Sequence, residues 1–198
     1  MYNAHVKFEV NGLEEVLQAL GALLESRRLF FRLVVAGGGS LLLLGLIDRP
    51  TADVDVVALD RNGEYTTAEP LPRELALAVA DVALAYDLDA AWLNCGPTQL
   101  LDLGLPPGFK DRVTVRRFGG LEVILPGRQD LLAFKLYAAA DQGTGSKHFR
   151  DLENLSPASA ELLRAARWTT THDRSDGFRG ELILVLGALG VETNDAAF

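Results

Sequence analysis

Gly37-Gly38-Gly39-Ser40 interrupts an apolar run that begins at Leu33, and Asp53-Val54-Asp55 follows thirteen residues after the serine. Alternation along a strand puts Asp53 and Asp55 on one face and Val54 and Val56 on the other. Two neighbouring anions on a half-buried strand repel each other and lose hydration, so a positive charge has to offset the cost. A divalent cation does this. Mg²⁺ or Mn²⁺, held by a few carboxylates together with substrate phosphates, suits an open pair at a strand end better than a closed protein cage. A glycine turn between a strand and a helix leaves backbone N–H groups and the helix dipole open to a phosphate, and Ser40 adds a hydroxyl or caps the helix. Each signal alone has an ordinary explanation: a strand-to-helix turn for the glycines, a solvated edge strand for the acids. Together they imply a nucleotide-like ligand. The segment lacks the GxxxxGK of a P-loop and the GxGxxG spacing of a dinucleotide fold, so neither is expected.

A second charged feature lies downstream. On a helical wheel of residues 129–141, Lys135 falls among Leu131, Leu132, Ala138 and Ala139, a cation in the middle of an apolar face. A lysine there either snorkels to water or is directed into an anionic site, where phosphates stabilise it.

The elements that must position these residues read as follows. Residues 12–28 carry Leu13, Val16, Leu17, Leu20, Leu23 and Leu24 at helical spacing, with acids first and arginines last. Residues 29–36 read as a buried strand, 41–46 as a second helix and 53–59 as a second strand. Pro72 starts a third helix with Leu75, Val79, Val82, Ala83 and Tyr86 on its apolar side. Residues 113–118 and 121–125 form a hairpin across Gly119-Gly120. Helices follow at 129–141, 147–155, 157–168 and 176–189, the last either core or a protein interface. The expected organisation is a mixed α/β (α+β) part over residues 1–127 and a helical part over 128–198.

Composition narrows the setting. A chain of 198 residues buries roughly 70% of its unfolded surface, enough for one domain or one with a helical appendage. A net charge of −8 argues against wrapping long duplex DNA, because that affinity rests on many Lys and Arg facing phosphates. The single Cys95 cannot form an intramolecular disulfide, and no basic-then-apolar leader is seen, so a cytoplasmic setting is expected. The longest apolar stretch, residues 41–47, is far short of the roughly 20 needed to span a bilayer, so no membrane partner is expected.

Gly38-Gly39-Ser40, twelve intervening residues and Asp53-Val54-Asp55 together resemble the signature of the DNA polymerase β-like nucleotidyltransferase superfamily. The resemblance spans about residues 33–155 and implies a mixed sheet flanked by helices. It implies that Gly38, Gly39 and Ser40 hold the triphosphate of a nucleoside triphosphate, and that Asp53 and Asp55 bind the catalytic Mg²⁺ or Mn²⁺. A third carboxylate is commonly required on a neighbouring strand, and Glu122 is the only acid in the second hairpin strand; the ordinary reading of it is an exposed hairpin glutamate. Lys135 is similar to the lysine in the DLLAxKL helix of the abortive-infection and toxin-type (AbiEii-like) enzymes, where it neutralises phosphate. Those enzymes continue with R-x-K-x-x-D-x-x-D-L. Here Asp151 matches the second acid, whereas His148 stands in place of the first; helical spacing lets both face one site. Trp92-Leu93-Asn94, with Cys95, is similar to a segment of an uncharacterised bacterial branch; Trp92 is there for stacking on a base or as a core aromatic.

The expected activity is transfer of a nucleoside monophosphate to an RNA hydroxyl, such as that of tRNA, or to a protein hydroxyl, in a toxin-like enzyme with an antitoxin partner. The alternatives are a non-catalytic nucleotide-binding or interaction module of the same fold, and a metal-dependent phosphohydrolase.

Overall fold

Leu13, Val16, Leu17, Leu20 and Leu24 are buried along one side of the first helix, α1 (Val10–Ser26), as their 3–4 spacing requires. The computed structural model describes residues 7–102 and 104–192. Residues 7–102 and 110–126 make one unit, and residues 104–109 and 127–192 a second.

The first unit is built on a six-stranded mixed sheet. Its strands are β1 (Phe31–Ala36), β2 (Val54–Arg61), β3 (Glu64–Thr67), β4 (Leu93–Asn94), β5 (Thr114–Phe118) and β6 (Leu121–Leu125), in the order β3-β2-β1-β6-β5, with β4 also on β2. The central strand β1 runs antiparallel to β2 and parallel to β6. Leu33, Val34 and Val35 are fully buried, so β1 is covered on both faces and reads as a continuous hydrophobic run. Helix α1 packs on β5 and β6 and against α3 (Arg73–Ala85). The approach is close at Gly21, where a Cβ would stand 1.5 Å from the Phe118 carbonyl oxygen, while the Gly21 carbonyl accepts from the Gly120 N–H at 2.9 Å. Tyr86 lies past the end of α3 and is partly exposed.

Besides Tyr86 and the short strand β4, the latter not expected from the sequence, two features that bear on the site differ from the expectation. The second helix, α2 (Gly37–Leu43), starts at the glycines rather than at Leu41, so the glycine turn is itself the first helical turn. The second strand is the first arm of a hairpin: it begins at Val54 and returns as β3 across Asn62-Gly63, both at positive φ. Two consecutive positive-φ residues match the primed turns that suit strand twist.

The second unit consists of α4 (Arg128–Gln142), α5 (Lys147–Leu155), α6 (Ser159–His172) and α7 (Asp176–Ala188), with α4 packed against each of the others. Among the described residues no strand follows β6, as expected. Phe178, Leu182, Val185 and Leu186 of α7 are buried and Leu184 is exposed, so this helix serves chiefly as core. No described helix is long and apolar enough to cross a membrane.

Glu161 fastens the start of α6. Its Oε2 accepts from the Ala158 N–H at 2.9 Å and its Oε1 from Arg128 Nε at 3.2 Å. These contacts, the backbone N–H first, hold its carboxyl below the ordinary glutamate range. A depressed carboxyl pKa contributes stability that is present above the unfolded pKa and is lost as pH falls through the folded one. Glu161→Gln is therefore expected to destabilise the chain at pH 7 more than at pH 3 in urea titrations; an equal loss at both pH values contradicts this.

Candidate functional site

The aspartates owe their direction to one extra residue. Leu33 pairs with Leu59 and Val34 with Ala58, but Val35 pairs with Val56, so Val57 is bulged out of the β1–β2 ladder. Continuous alternation from Asp60 would turn Asp55 to the opposite face. The bulge reverses the phase, so Asp55, paired with Ala36, shares a face with Arg32, Val34 and Ala58.

Pairing with Ala36 sets Asp55 beside the glycines that follow it. Gly37 has φ +71°, and a Cβ on it would stand 2.0 Å from Asp55 Oδ2. A Cβ on Gly38 would come 2.7 Å from Thr51 Oγ1, and one on Gly39 3.3 Å from the Asp53 carbonyl oxygen. The glycine turn and the Asp-Val-Asp strand are thus in direct contact, and the contact depends on the absence of side chains. The residue preceding α2 is Ala36, which offers no side-chain cap, and the first amides of a helix have no intrahelical acceptor. The backbone donors at the start of α2 therefore sit next to the Asp55 carboxylate and the Asp53 main chain.

Ser40 has another part. It is fully buried, and its hydroxyl donates to the Val35 carbonyl, tying the helix to the end of β1. The side chain faces inward and neither caps the helix nor lines a phosphate cradle, which corrects the expectation that its hydroxyl holds phosphate.

The loop before the aspartates is clamped from both sides. Phe8 and Thr51 exchange backbone hydrogen bonds of 2.6 and 3.0 Å, and the Thr51 hydroxyl donates to Asp53 Oδ1 at 3.3 Å. On the far side of β2, Asn94 Nδ2 donates to Asp55 Oδ1 at 3.3 Å. Arg49 brings a cation to the glycine turn: its Nη2 lies 3.5 Å from where a Gly38 Cβ would be. Arg49, Thr51 and Asn94 were missed in the sequence, although Arg49 and Thr51 stand four and two residues before Asp53 and so follow the same alternation. Trp92 proves to be core: it is 1% exposed and its indole N–H donates to the Val79 carbonyl at 3.1 Å.

Glu122 does not join this cluster. It pairs with Arg32 across β1–β6, four residues along β1 from the Ala36–Asp55 pair, about 13 Å at the usual strand rise. Its carboxylate is taken by two guanidiniums, Arg32 Nε at 2.8 Å and Arg117 Nε at 2.8 Å, and Arg32 also bridges Asp60 at 2.9 Å. The expected third metal ligand is instead part of a charge-balanced row, Asp60–Arg32–Glu122–Arg117, across four strands. Among the described residues no three His, Cys, Asp or Glu side chains gather as a metal-ligating set. Carboxylates such as those of Asp53 and Asp55 are of the chemical kind that Mg²⁺ takes, since it retains waters and accepts substrate phosphates in its other positions.

In the helical unit, Lys135 and Asp151 meet. Lys135 Nζ lies 2.7 Å from Asp151 Oδ2, with Lys135 3% exposed and Asp151 fully buried. The lysine does not snorkel. Ser146 caps α5 by accepting from the Phe149 N–H at 3.2 Å, which fixes the turn from which Asp151 reaches α4. His148, one helical turn before Asp151, is partly buried, whereas Lys147 and Arg150 are exposed.

Gly37→Ala is expected to displace the Asp55 carboxylate, since the new Cβ adds both positive-φ strain of about 1–2 kcal/mol and an overlap at 2.0 Å. Gly45 also has positive φ, +65°, but a Cβ there meets nothing within 4 Å. Gly45→Ala therefore carries the strain without the overlap. Mn²⁺ binding lost in Gly37→Ala and kept in Gly45→Ala is the expected pattern; equal binding in both contradicts the contact.

A family model described as "Nucleotidyltransferase of unknown function (DUF6036)" matches residues 11–154. The match runs from α1 through the sheet and α4 almost to the end of α5, and takes in Asp53, Asp55, Lys135 and Asp151. No curated protein and no solved structure matches the chain.

Proposed function

The chain belongs to this nucleotidyltransferase family, and from that premise we propose that it transfers a nucleoside monophosphate from a nucleoside triphosphate to a hydroxyl of RNA or protein. The observation that supports this most is the contact of the Gly37–Gly39 turn with Asp55, Thr51 and Asp53. Backbone donors for phosphate and acids for a cation stand side by side, as phosphoryl and nucleotidyl transfer require, since such catalysis is mainly positioning and charge neutralisation.

In this reading the amides of Gly38 and Gly39 bind the triphosphate and Arg49 adds positive charge at the turn. Ser40 keeps the turn rigid from inside. Asp53 and Asp55 hold Mg²⁺ or Mn²⁺, which when bound supplies alignment of the attacking hydroxyl and stabilisation of the leaving pyrophosphate. Lys135 and Asp151 are a charged pair retained inside a helical unit, where an apolar pair of similar volume would serve packing as well. That expense favours a part in the reaction. A toxin-like role with a cognate antitoxin, in the cytoplasm, completes the proposal.

A second reading, a nucleotide-binding module without catalysis, is favoured by one observation: Glu122 is held by two arginines and leaves Asp53 and Asp55 as the only acids proposed for the cation. The two readings separate on incubation with each labelled triphosphate, Mg²⁺ or Mn²⁺, and total cellular RNA and protein. The enzyme releases pyrophosphate and labels an acceptor; the binding module retains nucleotide and does neither. Release of inorganic phosphate without labelling identifies a phosphohydrolase.

A further inference from the structure

Strand β4 is two residues long, and its register on β2 sets Asn94 directly beside Asp55 on the same sheet face. The Asn94 amide is oriented from behind. The Gly96 N–H donates to Asn94 Oδ1 at 3.0 Å, which leaves the NH₂ side to donate to Asp55 Oδ1 at 3.3 Å. Space is limited there: a Cβ on Gly96 would stand 3.2 Å from Asn94 Oδ1. The 3-10 turn that carries Gly96, Gly96–Leu101, is itself fixed to the sheet, because the Thr98 hydroxyl donates to the Val57 carbonyl at 2.9 Å and accepts from the Ala68 N–H at 3.1 Å. Val57 is the bulged residue. One connected set of hydrogen bonds therefore runs from the bulge that aims Asp55 to the amide that grips it.

We propose that Asn94 is the positioning residue for Asp55 in cation binding. By donating to Oδ1 it holds the carboxylate in the rotamer whose Oδ2 lies against the glycine turn, where cation and nucleotide phosphate meet. A donor is suited to this task and a third acid is not, because a donor orients Asp55 without adding another negative charge to the pair. Outer partners of this kind are worth about 10–100-fold in metal affinity. The inference rests on the nucleotidyltransferase reading above.

The test is Mn²⁺ binding to the full chain without nucleotide, followed by the spectroscopic signal of free Mn²⁺. The proteins compared are wild type, Asp53→Ala with Asp55→Ala, Asn94→Ala, Asn94→Ser and Gly96→Ala. Asn94→Ala is expected to weaken Mn²⁺ binding about 10–100-fold with the thermal melt unchanged. Gly96→Ala, which keeps the amide but moves it, is expected to fall between that variant and wild type. In the transfer reaction, the Mn²⁺ concentration for half-maximal rate rises in Asn94→Ala while the rate at saturating Mn²⁺ stays near wild type. Equal Mn²⁺ binding by wild type and the double aspartate variant overturns the nucleotidyltransferase reading and this inference with it. Loss of Mn²⁺ in the aspartate variant alone, with Asn94→Ala binding as wild type, overturns only the role of Asn94. If the alanine variant does not fold, Asn94→Ser carries the same comparison.

Discussion

Asp151→Ala is expected to lower stability by about 3–5 kcal/mol, because it removes the carboxylate that stands 2.7 Å from the buried Lys135 ammonium. For a chain of this length that corresponds to a melting temperature lower by about 6–20 °C. The cost arises from keeping a buried charge less well compensated more than from the lost attraction. It follows that removing both charges is milder than removing one. Lys135→Met combined with Asp151→Leu replaces the pair by apolar groups of similar volume, which in other buried pairs is neutral or stabilising by about 1–4 kcal/mol. Thermal melts of the two single variants and the double variant decide the matter: the singles fall, and the double recovers most of the loss. A double variant as unstable as either single shows that the pair's hydrogen bonds, and not its isolated charges, dominate. The same double variant tests function, since a folded chain without nucleotidyl transfer places the pair in the reaction, whereas full transfer assigns it to packing alone.

The residues of the first motif were legible because their signal is local. Three glycines must mark a close approach or an unusual backbone, and Gly37 shows both. Acids two apart at the start of a strand are expected to share a face, and the strand places Asp55 beside Ala36 and the glycines. Lys135 was legible in part: its place on an apolar helical face is read from the wheel, whereas its pairing with Asp151 depends on how α5 packs on α4 and was not read. What was not legible depends on register. Glu122 stands opposite Arg32 and Arg117 only because of how β1, β6 and β5 align, and no spacing within one strand reveals that. The bulge at Val57 leaves no mark in a run of alternating valines and acids, yet without it Asp55 turns to the wrong face. The β2–β3 turn had its mark, Asn62-Gly63, but β3 is short and polar and shows no apolar alternation. Ser40 was assigned to a ligand because serine beside glycines suggests a cradle; its burial follows from α2 being buried from Gly38 to Leu43.

The largest expected effect on activity belongs to the aspartates. Asp53→Ala with Asp55→Ala removes both carboxylates proposed to hold the cation, and cation stabilisation of the transferring group is worth several kcal/mol. Each 1.4 kcal/mol is tenfold, so transfer is expected to fall by about 10³-fold or more. Stability is expected to change little, since the loss of the Thr51 and Asn94 hydrogen bonds is offset by relief of the repulsion between two nearby acids. The combination of a nearly unchanged melting temperature with lost transfer separates a site pair from a structural pair, which loses both. Nucleotide binding without metal is expected to survive, because the Gly38 and Gly39 amides and Arg49 remain.

The most direct measurement is label transfer from each α-labelled nucleoside triphosphate to total cellular RNA and protein, with pyrophosphate release followed in parallel, in wild type and in the double aspartate variant under Mg²⁺ and Mn²⁺. Label on an acceptor with matching pyrophosphate is expected for wild type, and about 10³-fold less of both for the variant. Equal transfer by the two proteins, or pyrophosphate and label absent from both under every triphosphate, contradicts it.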